Sequence, residues 1–389
     1  MKRKKILTVL FGTEKVLTVI PGALLGIAVM LTAKILSDYV GIFFKTRLNI
    51  SQNPVSMFLV AIILGMSVRN IFRIPETFEP GINFCVQKLL RLGIMLLGLR
   101  LSIMTAAKIG AVSMVIATLC VATGLIAAYY MAKLAGVSSR LGTLIAAGTG
   151  ICGVSAVVAV SPCIGAKKEE TTYAISTITI FGLIVTLIYP YLIRMLFHFN
   201  QAQAGIFLGV AIHDTSQVTG AAYIYDQLWG TEVSQIAITT KLIRNMLMVL
   251  VIPLLAMAYA RKDNSACAPG VKGLWTYFPK FVLGFLAFAV LRSLGDVYTR
   301  PGSGQGGFLI WNSVESWTAF HQWIKSAAEY ILATAISGAG LGAQFNKLKK
   351  LSYKPFLVGL GAAAIVGAAG FILVSLLDKP IGAIIPSLK

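Results

Sequence analysis

Residues 141–162 read LGTLIAAGTGICGVSAVVAVSP, an uncharged run with Gly148, Gly150 and Gly153 near its middle. About 20 consecutive apolar residues are needed for a helix to cross roughly 30 Å of hydrocarbon, and this run is long enough. Glycine inside a helix costs about 1 kcal/mol relative to alanine, so three of them within six residues weaken the helix at mid-depth. The stretch therefore predicts a membrane-crossing helix that is interrupted at its centre.

The rest of the chain extends the first half of that reading. Of the 389 residues, 57% are hydrophobic and 12% are charged, and mean hydropathy is +0.81. A soluble domain carries about 25% charged residues, so a water-soluble fold of this length is excluded. Lipid admits only helices and closed barrels, because every backbone polar group must be paired internally. Long unbroken apolar runs select helices. Hydropathy places eleven spans near 16–36, 53–70, 84–105, 109–134, 141–162, 171–197, 203–222, 233–260, 274–296, 326–346 and 354–378. The fold class expected is an all-α polytopic membrane protein.

Net charge is +20, from 34 Lys+Arg against 14 Asp+Glu. The basic residues sit mostly between apolar runs, where the positive-inside rule places them, and this argues against a nucleic-acid partner. With the N-terminus cytoplasmic, the inner segments hold Lys2 to Lys5, Arg69, Arg73, Lys133, Arg140, Arg261, Lys262 and the 347–354 run. The 223–232 loop, with Asp226 and Glu232, and the Gly-rich 297–316 loop then lie outside, as does Lys389. Lys167 and Lys168 fall on the wrong side of this count: either they are outvoted or the fifth span does not cross in the ordinary way. Residues 1–11 resemble a signal-peptide start, but Glu14 and Lys15 interrupt it without a small-residue cleavage site. The expectation is a short basic cytoplasmic lead. Cys85, Cys120, Cys152, Cys163 and Cys267 form no CxxC pair, and most lie within apolar segments, so free buried thiols are expected.

With the first span set aside, ten remain, in two sets of five. An odd number per set inverts the second set relative to the first, an arrangement common among secondary transporters. The units are then 1–52 (basic lead and extra span), 53–200 (first repeat) and 201–389 (second repeat). The fourth span of each set carries a glycine cluster: Gly148-Thr149-Gly150-Ile151-Cys152-Gly153 in the fifth span, and Ser337-Gly338-Ala339-Gly340-Leu341-Gly342 in the tenth. Small residues also let helices pack closely, and that is the plainer account of an isolated pair. Their matched places favour broken helices in spans 5 and 10, whose positive N-terminal ends suit an anion.

A second constellation is His213-Asp214-Thr215-Ser216-Gln217 in the seventh span. Five polar side chains at membrane depth are costly, so they line a solute path or pair with one another. The alternative is a short hydrophilic loop between two half-length apolar runs. Thr215, Ser216 and Gln217 offer neutral hydrogen bonds to an oxyanion, while Asp214 and His213 are the first candidates to hold a coupling Na+ or H+. Lys241, Arg244 and Asn245, at i, i+3 and i+4, share one face of the eighth span. Arg91 and Arg100 raise the same question, although snorkelling or pairing with Asp or Glu accounts for them as well. Glu169 and Glu170 read as acidic residues at the start of the sixth span, favourable to its dipole. Three histidines make a metal site improbable, and no cofactor is expected.

The stretches GTGICGVS (148–155), EETTYAI (169–175) and HDTSQV (213–218), in this order over nearly the whole chain, resemble the YeiH family, known as sulfate exporters. The resemblance implies kinship with the bile-acid/sodium symporter and cation/proton antiporter superfamily. It implies two inverted five-helix repeats whose broken fourth helices cross at the midplane.

The function expected is secondary active transport of a small anion (sulfate or a sulfur-containing or carboxylate relative) by alternating access in the bacterial inner membrane. The expected substrate contacts are Gly148, Thr149, Gly150, Cys152, Gly153, Ser155, His213, Thr215, Ser216, Gln217, Lys241, Arg244, Ser337, Gly338 and Gly340. Asp214, His213 and Asn245 are the expected coupling-ion residues. Lipid is the other partner, and a homodimer is left open. An anion channel or passive pore is the alternative. An enzyme is disfavoured, because no G-x-S-x-G or H-E-x-x-H is present and adjacent helical residues point to different faces. A receptor with a transporter fold remains as a further alternative.

Overall fold

The structure, a computed structural model, describes residues 16–48, 53, 55–72, 74–197, 200–263, 277–298, 313–344, 353–378 and 381. The basic lead, Cys267, His198 and most of the 347–354 run lie outside the described residues. Every regular element among the described residues is helical. In chain order the α-helices are α1 (Val16–Leu48), α2 (Met57–Ile71), α3 (Glu79–Phe84), α4 (Leu90–Leu97) and α5 (Ile103–Leu134). They continue with α6 (Ser139–Ala147), α7 (Val154–Cys163), α8 (Lys168–Leu192), α9 (Gln201–Ala211) and α10 (Thr215–Trp229). The last are α11 (Val233–Met246), α12 (Met248–Asp263), α13 (Phe281–Tyr298), α14 (Val314–Gly342) and α15 (Tyr353–Leu376).

Seven of the described helical stretches are long and apolar enough to cross a membrane: Leu17–Arg47, Glu76–Arg100, Ile103–Leu134, Lys168–Met195, Val233–Tyr259, Phe281–Tyr298 and Tyr353–Leu376. Polar residues fix where several of the shorter helices start. Ser56 Oγ accepts from Phe58 N, and Ser138 Oγ from Leu141 N. Asn200 and Gln203 cap one another reciprocally, an arrangement that satisfies two N–H groups otherwise left orphaned. At α8, Glu170 accepts from the Lys167 N–H and from Ser138 Oγ, so the acidic start of that helix is a cap, as its sequence suggests. Arg100 pairs with Glu329 at 3.9 Å, which matches the pairing account of that cation. Cys85, Cys120 and Cys152 are buried free thiols, and Cys163 is a partly exposed one.

The chain folds into two compact units, each drawing on both halves of the sequence. Unit one comprises 1–103, 227–230 and 283–345; unit two comprises 104–226, 231–282 and 346–389.

Unit one is assembled around α14, which packs on α1, α2 and α4. Small residues set how closely these helices approach. A Cβ on Gly340 would lie 2.5 Å from the Ile62 carbonyl oxygen, and one on Gly65 would lie 2.7 Å from the Ser337 carbonyl oxygen. A Cβ on Gly338 would meet Cys85 Cβ at 2.9 Å. Ser337 Oγ donates to the Gly26 and Thr334 carbonyls at 2.7 and 2.8 Å. These residues are spent on close packing, and α14 runs without a break from Val314 to Gly342. The expected interruption of the tenth span is thereby corrected. Its glycines permit backbone contact that offsets their cost to the helix. Gly340→Val should therefore lower the melting temperature of the purified protein by several degrees, since overpacking costs about 1–3 kcal/mol. An unchanged melting curve would contradict the close approach.

Unit two contains α5 to α12 and α15. Its helices also meet over glycines: Gly205 and Gly209 of α9 against Ile236 and Thr240 of α11, and Gly124 of α5 against Gly150. Unit one carries a π-helical turn at Cys85–Leu89 whose flanking residues stay helical; in unit two the chain leaves the helical conformation within its spans.

Candidate functional site

Three interruptions lie in unit two. After α6, residues Gly148–Cys152 form a single π-helical turn, a distortion that frees main-chain groups from their usual partners. Gly153 then takes φ +69° and ψ −129°, and α7 starts at Val154. The second follows α9, where residues 212–214 leave the helix and Ile212 is extended (φ −88°, ψ 139°) before α10 begins at Thr215. Of the HDTSQ segment, only His213 and Asp214 lie in this break, while Thr215, Ser216 and Gln217 form the first turn of α10. The third is a one-residue turn at Leu247 between α11 and α12.

The first two interruptions touch. A Cβ on Gly153 would lie 3.1 Å from Asp214 Cα, Cβ and Oδ2. Only glycine tolerates that backbone conformation cheaply, and only glycine leaves room for Asp214 beside it.

A helix that ends inside a membrane protein leaves carbonyls without intrahelical partners, and each must be satisfied from elsewhere. In this protein α11 supplies the partners. Arg244, fully buried, donates through Nε to Gly150 O (3.1 Å) and through Nη2 to Thr149 O and Gly150 O (2.6 and 2.9 Å). Its Nη1 donates to Val210 O (2.6 Å) and Ile212 O (3.0 Å). A guanidinium has five N–H donors in a fixed fork, and these five contacts account for them. Lys241, also fully buried, donates from Nζ to Ile151 O (3.3 Å), Ile212 O (2.9 Å) and His213 O. Three acceptors call for the three N–H groups of an ammonium. The i, i+3 spacing on α11 points both cations at the same pair of helix ends.

The polar segment divides into distinct duties. Asp214 Oδ1 accepts from Ser216 N (2.8 Å) and Ser216 Oγ (2.5 Å), capping α10. Gln217 Oε1 accepts from Asp214 N (3.4 Å), and its Nε2 donates to Thr179 O of α8 (3.1 Å). A Cβ on Gly182 would come within 2.2 Å of that Oε1. Ser216 and Gln217 are therefore committed to capping and to tying α10 onto α8. His213 points into the protein, fully buried, edge-on to Phe181 at 5.4 Å, with Nδ1 3.5 Å from Arg244 Nη2. Asn245 Nδ2 donates to Thr215 Oγ1 (3.1 Å). Cys152 is buried against Met248.

Three buried polar atoms in this region have no protein partner: Thr149 Oγ1, His213 Nε2 and Asn245 Oδ1. Asp214 and Thr215 are half-buried and Ser155, in the first turn of α7, is exposed. Gly153 gives α7 no side-chain cap, and the Val157 N–H closes the turn on the Gly153 carbonyl. The two helix C-termini carry about −0.5 charge each and the two N-termini about +0.5, which cancel. With Asp214 counted as a carboxylate against Lys241 and Arg244, one formal positive charge remains.

Most sequence-predicted site residues therefore gather in unit two: Gly148, Thr149, Gly150, Cys152, Gly153, Ser155, His213, Asp214, Thr215, Ser216, Gln217, Lys241, Arg244 and Asn245. Ser337, Gly338 and Gly340 belong to unit one, with the packing duties given above. Sequence reasoning missed the Ile151, Val210 and Ile212 carbonyls, because main-chain oxygens of aliphatic residues leave no side-chain signature. Among the described residues no group of three His, Cys, Asp or Glu is placed to hold a metal ion.

An all-helical membrane protein with discontinuous helices closed by buried cations is the class that this geometry defines. The chain belongs to the family described as conserved hypothetical protein 698, whose model matches residues 21–359. It is similar to a UPF0324 membrane protein of Bacillus anthracis, 33% identical over 322 residues that cover 83% of this chain and 87% of that one. A UPF0324 membrane protein of Bacteroides thetaiotaomicron is 30% identical over 342 residues, covering 87% and 94%. One of Nitratidesulfovibrio vulgaris is 30% identical over 356 residues, covering 90% and 91%.

Proposed function

We propose that this chain is a secondary active transporter of a small anion, working by alternating access in the bacterial inner membrane with its N-terminus cytoplasmic. The substrate class is sulfate or a related sulfur-containing or carboxylate solute, in keeping with the likeness to the YeiH sulfate exporters. The eleven-span count belongs to this reading. Its division into inverted repeats at 53–200 and 201–389 rests on span number alone, since the two glycine clusters differ in conformation.

The observation that carries the proposal is the pair of touching helix interruptions at Gly153 and Asp214, backed by two buried cations. Irregular backbone at membrane depth is tolerated where it is buried in protein or lines a water-filled cavity, and discontinuous helices are the usual setting of transporter sites. The net positive charge favours an anion. In this reading the anion meets the first turn of α7 at Ser155, together with Thr215 and Asn245. Lys241 and Arg244 act on it through their field, since their donors are occupied by carbonyls. Asp214 is the half-buried carboxylate beside this position and the first candidate to take a coupling ion.

Binding is tested by thermal unfolding of the detergent-purified protein against sulfate, sulfite, thiosulfate and small carboxylates. A ligand at 100 times its Kd stabilises by about 2.7 kcal/mol. One chemical class should raise the melting temperature saturably, and Ser155→Leu should abolish the effect. A protein indifferent to every anion would contradict the reading.

A further inference from the structure

Coupling by Na+ requires a shell of oxygen ligands, and in transporters with broken helices the unwound carbonyls and half-helix C-termini supply it. Here the corresponding carbonyls are those of Thr149, Gly150 and Ile151 at the first interruption and of Val210, Ile212 and His213 at the second. All six accept hydrogen bonds from Lys241 or Arg244. The ammonium of Lys241 bridges both interruptions, as an alkali-metal ion would, with three carbonyl oxygens around one positive centre. The guanidinium of Arg244 takes the remaining carbonyls of the same two ends. Asp214, the nearest carboxylate, has Oδ1 committed to Ser216. A free Na+ finds none of these six carbonyls open to it.

We propose that Lys241 and Arg244 are tethered cations that take the place of a coupling metal ion between the two helix interruptions, so that Na+ has no part in the transport cycle. The inference rests on the carrier reading for its meaning, but its geometry stands on the hydrogen bonds alone. It has two consequences. The positive charge that joins the helix ends is built into the chain and never leaves during the cycle, so solute binding does not wait for a metal. Any coupling ion must then find its ligands outside these six carbonyls.

The test uses the full-length protein in detergent and in proteoliposomes. Replacing NaCl by choline chloride should leave the wild-type melting temperature within about 1 °C, because an ion that does not bind the folded state gives no stabilisation. Anion flux should be equally indifferent. Lys241→Ala opens the vacated position; its melting temperature should fall, and ammonium or Na+, but not choline, should restore part of the loss saturably. Lys241→Gln serves the same purpose if the alanine variant does not fold, and the wild-type Na+ titration decides the matter if neither folds. Saturable stabilisation of the wild type by Na+, or flux that stops without it, would overturn the inference while leaving the carrier reading intact. A folded Lys241 variant that no small cation restores would overturn it too. Failure of every anion to bind would instead sink the carrier reading and leave the tethered cations as structural ties.

Discussion

Arg244→Lys should cost the protein much of its stability, although the charge is conserved. The carbonyls of Thr149, Gly150 and Val210 have Arg244 as their side-chain donor, and they belong to two different helix ends. A lysine ammonium is a single point with three donors and lacks the planar fork that reaches both ends at once. Leaving a buried acceptor unpaired costs about 1–3 kcal/mol, so losing even two or three of these contacts costs roughly 3 kcal/mol or more. At roughly 2–4 °C per kcal/mol for domains of about 150–250 residues, and less for a longer chain, the melting temperature should drop by several degrees. Arg244→Met should be worse, since it also removes the charge that offsets the helix C-termini. The check is thermal unfolding followed by size-exclusion profile. A lysine variant that melts with the wild type would show that the carbonyls do not depend on the fork.

Gly153→Ala has the second large effect, and it should fall on transport more than on folding. At φ +69° and ψ −129°, an L-residue pays about 1–3 kcal/mol in backbone strain. The new Cβ would also lie 3.1 Å from the backbone and side chain of Asp214. Asp214 caps α10, so it cannot yield without moving the start of that helix. Both adjustments pry apart the two interruptions where the solute is expected to bind. Uptake per folded molecule should fall at least tenfold, equivalent to about 1.4 kcal/mol. An alanine variant with the wild-type rate would place the solute elsewhere.

How much of this was legible in the sequence depended on whether the signal lay in side chains. Apolar run length announced the helices, and the glycines of 148–153 marked a true interruption. The same glycine signal at 337–342 misled, because a glycine pair reads alike whether it breaks a helix or lets another backbone approach. The decision lay with Ile62 and Cys85, which are distant in sequence and meet Gly340 and Gly338 only in the fold. The five polar residues from His213 were recognised as a group, but not their division of labour. Asp214, Ser216 and Gln217 sit at the start of a helix whose boundary hydropathy does not resolve, so their capping role was hidden. Lys241 and Arg244 were found by helical spacing and assigned to the solute. Their partners turned out to be main-chain oxygens of Thr149, Gly150, Ile151, Val210, Ile212 and His213, which no residue pattern advertises.

That reassignment changes what an anion site must be made of. With both cations spent on helix ends, direct contacts fall to the start of α7 and to Ser155, Thr215 and Asn245, under a net positive field. The central claim is that this arrangement moves an anion by carrier exchange, and counterflow in proteoliposomes tests it most directly. Vesicles loaded with unlabelled sulfate or with the anion that stabilises the protein should accumulate the labelled anion transiently above its equilibrium level, at a slow, saturable rate. Anion conductance across a planar bilayer without counterflow would contradict the account and make the protein a pore.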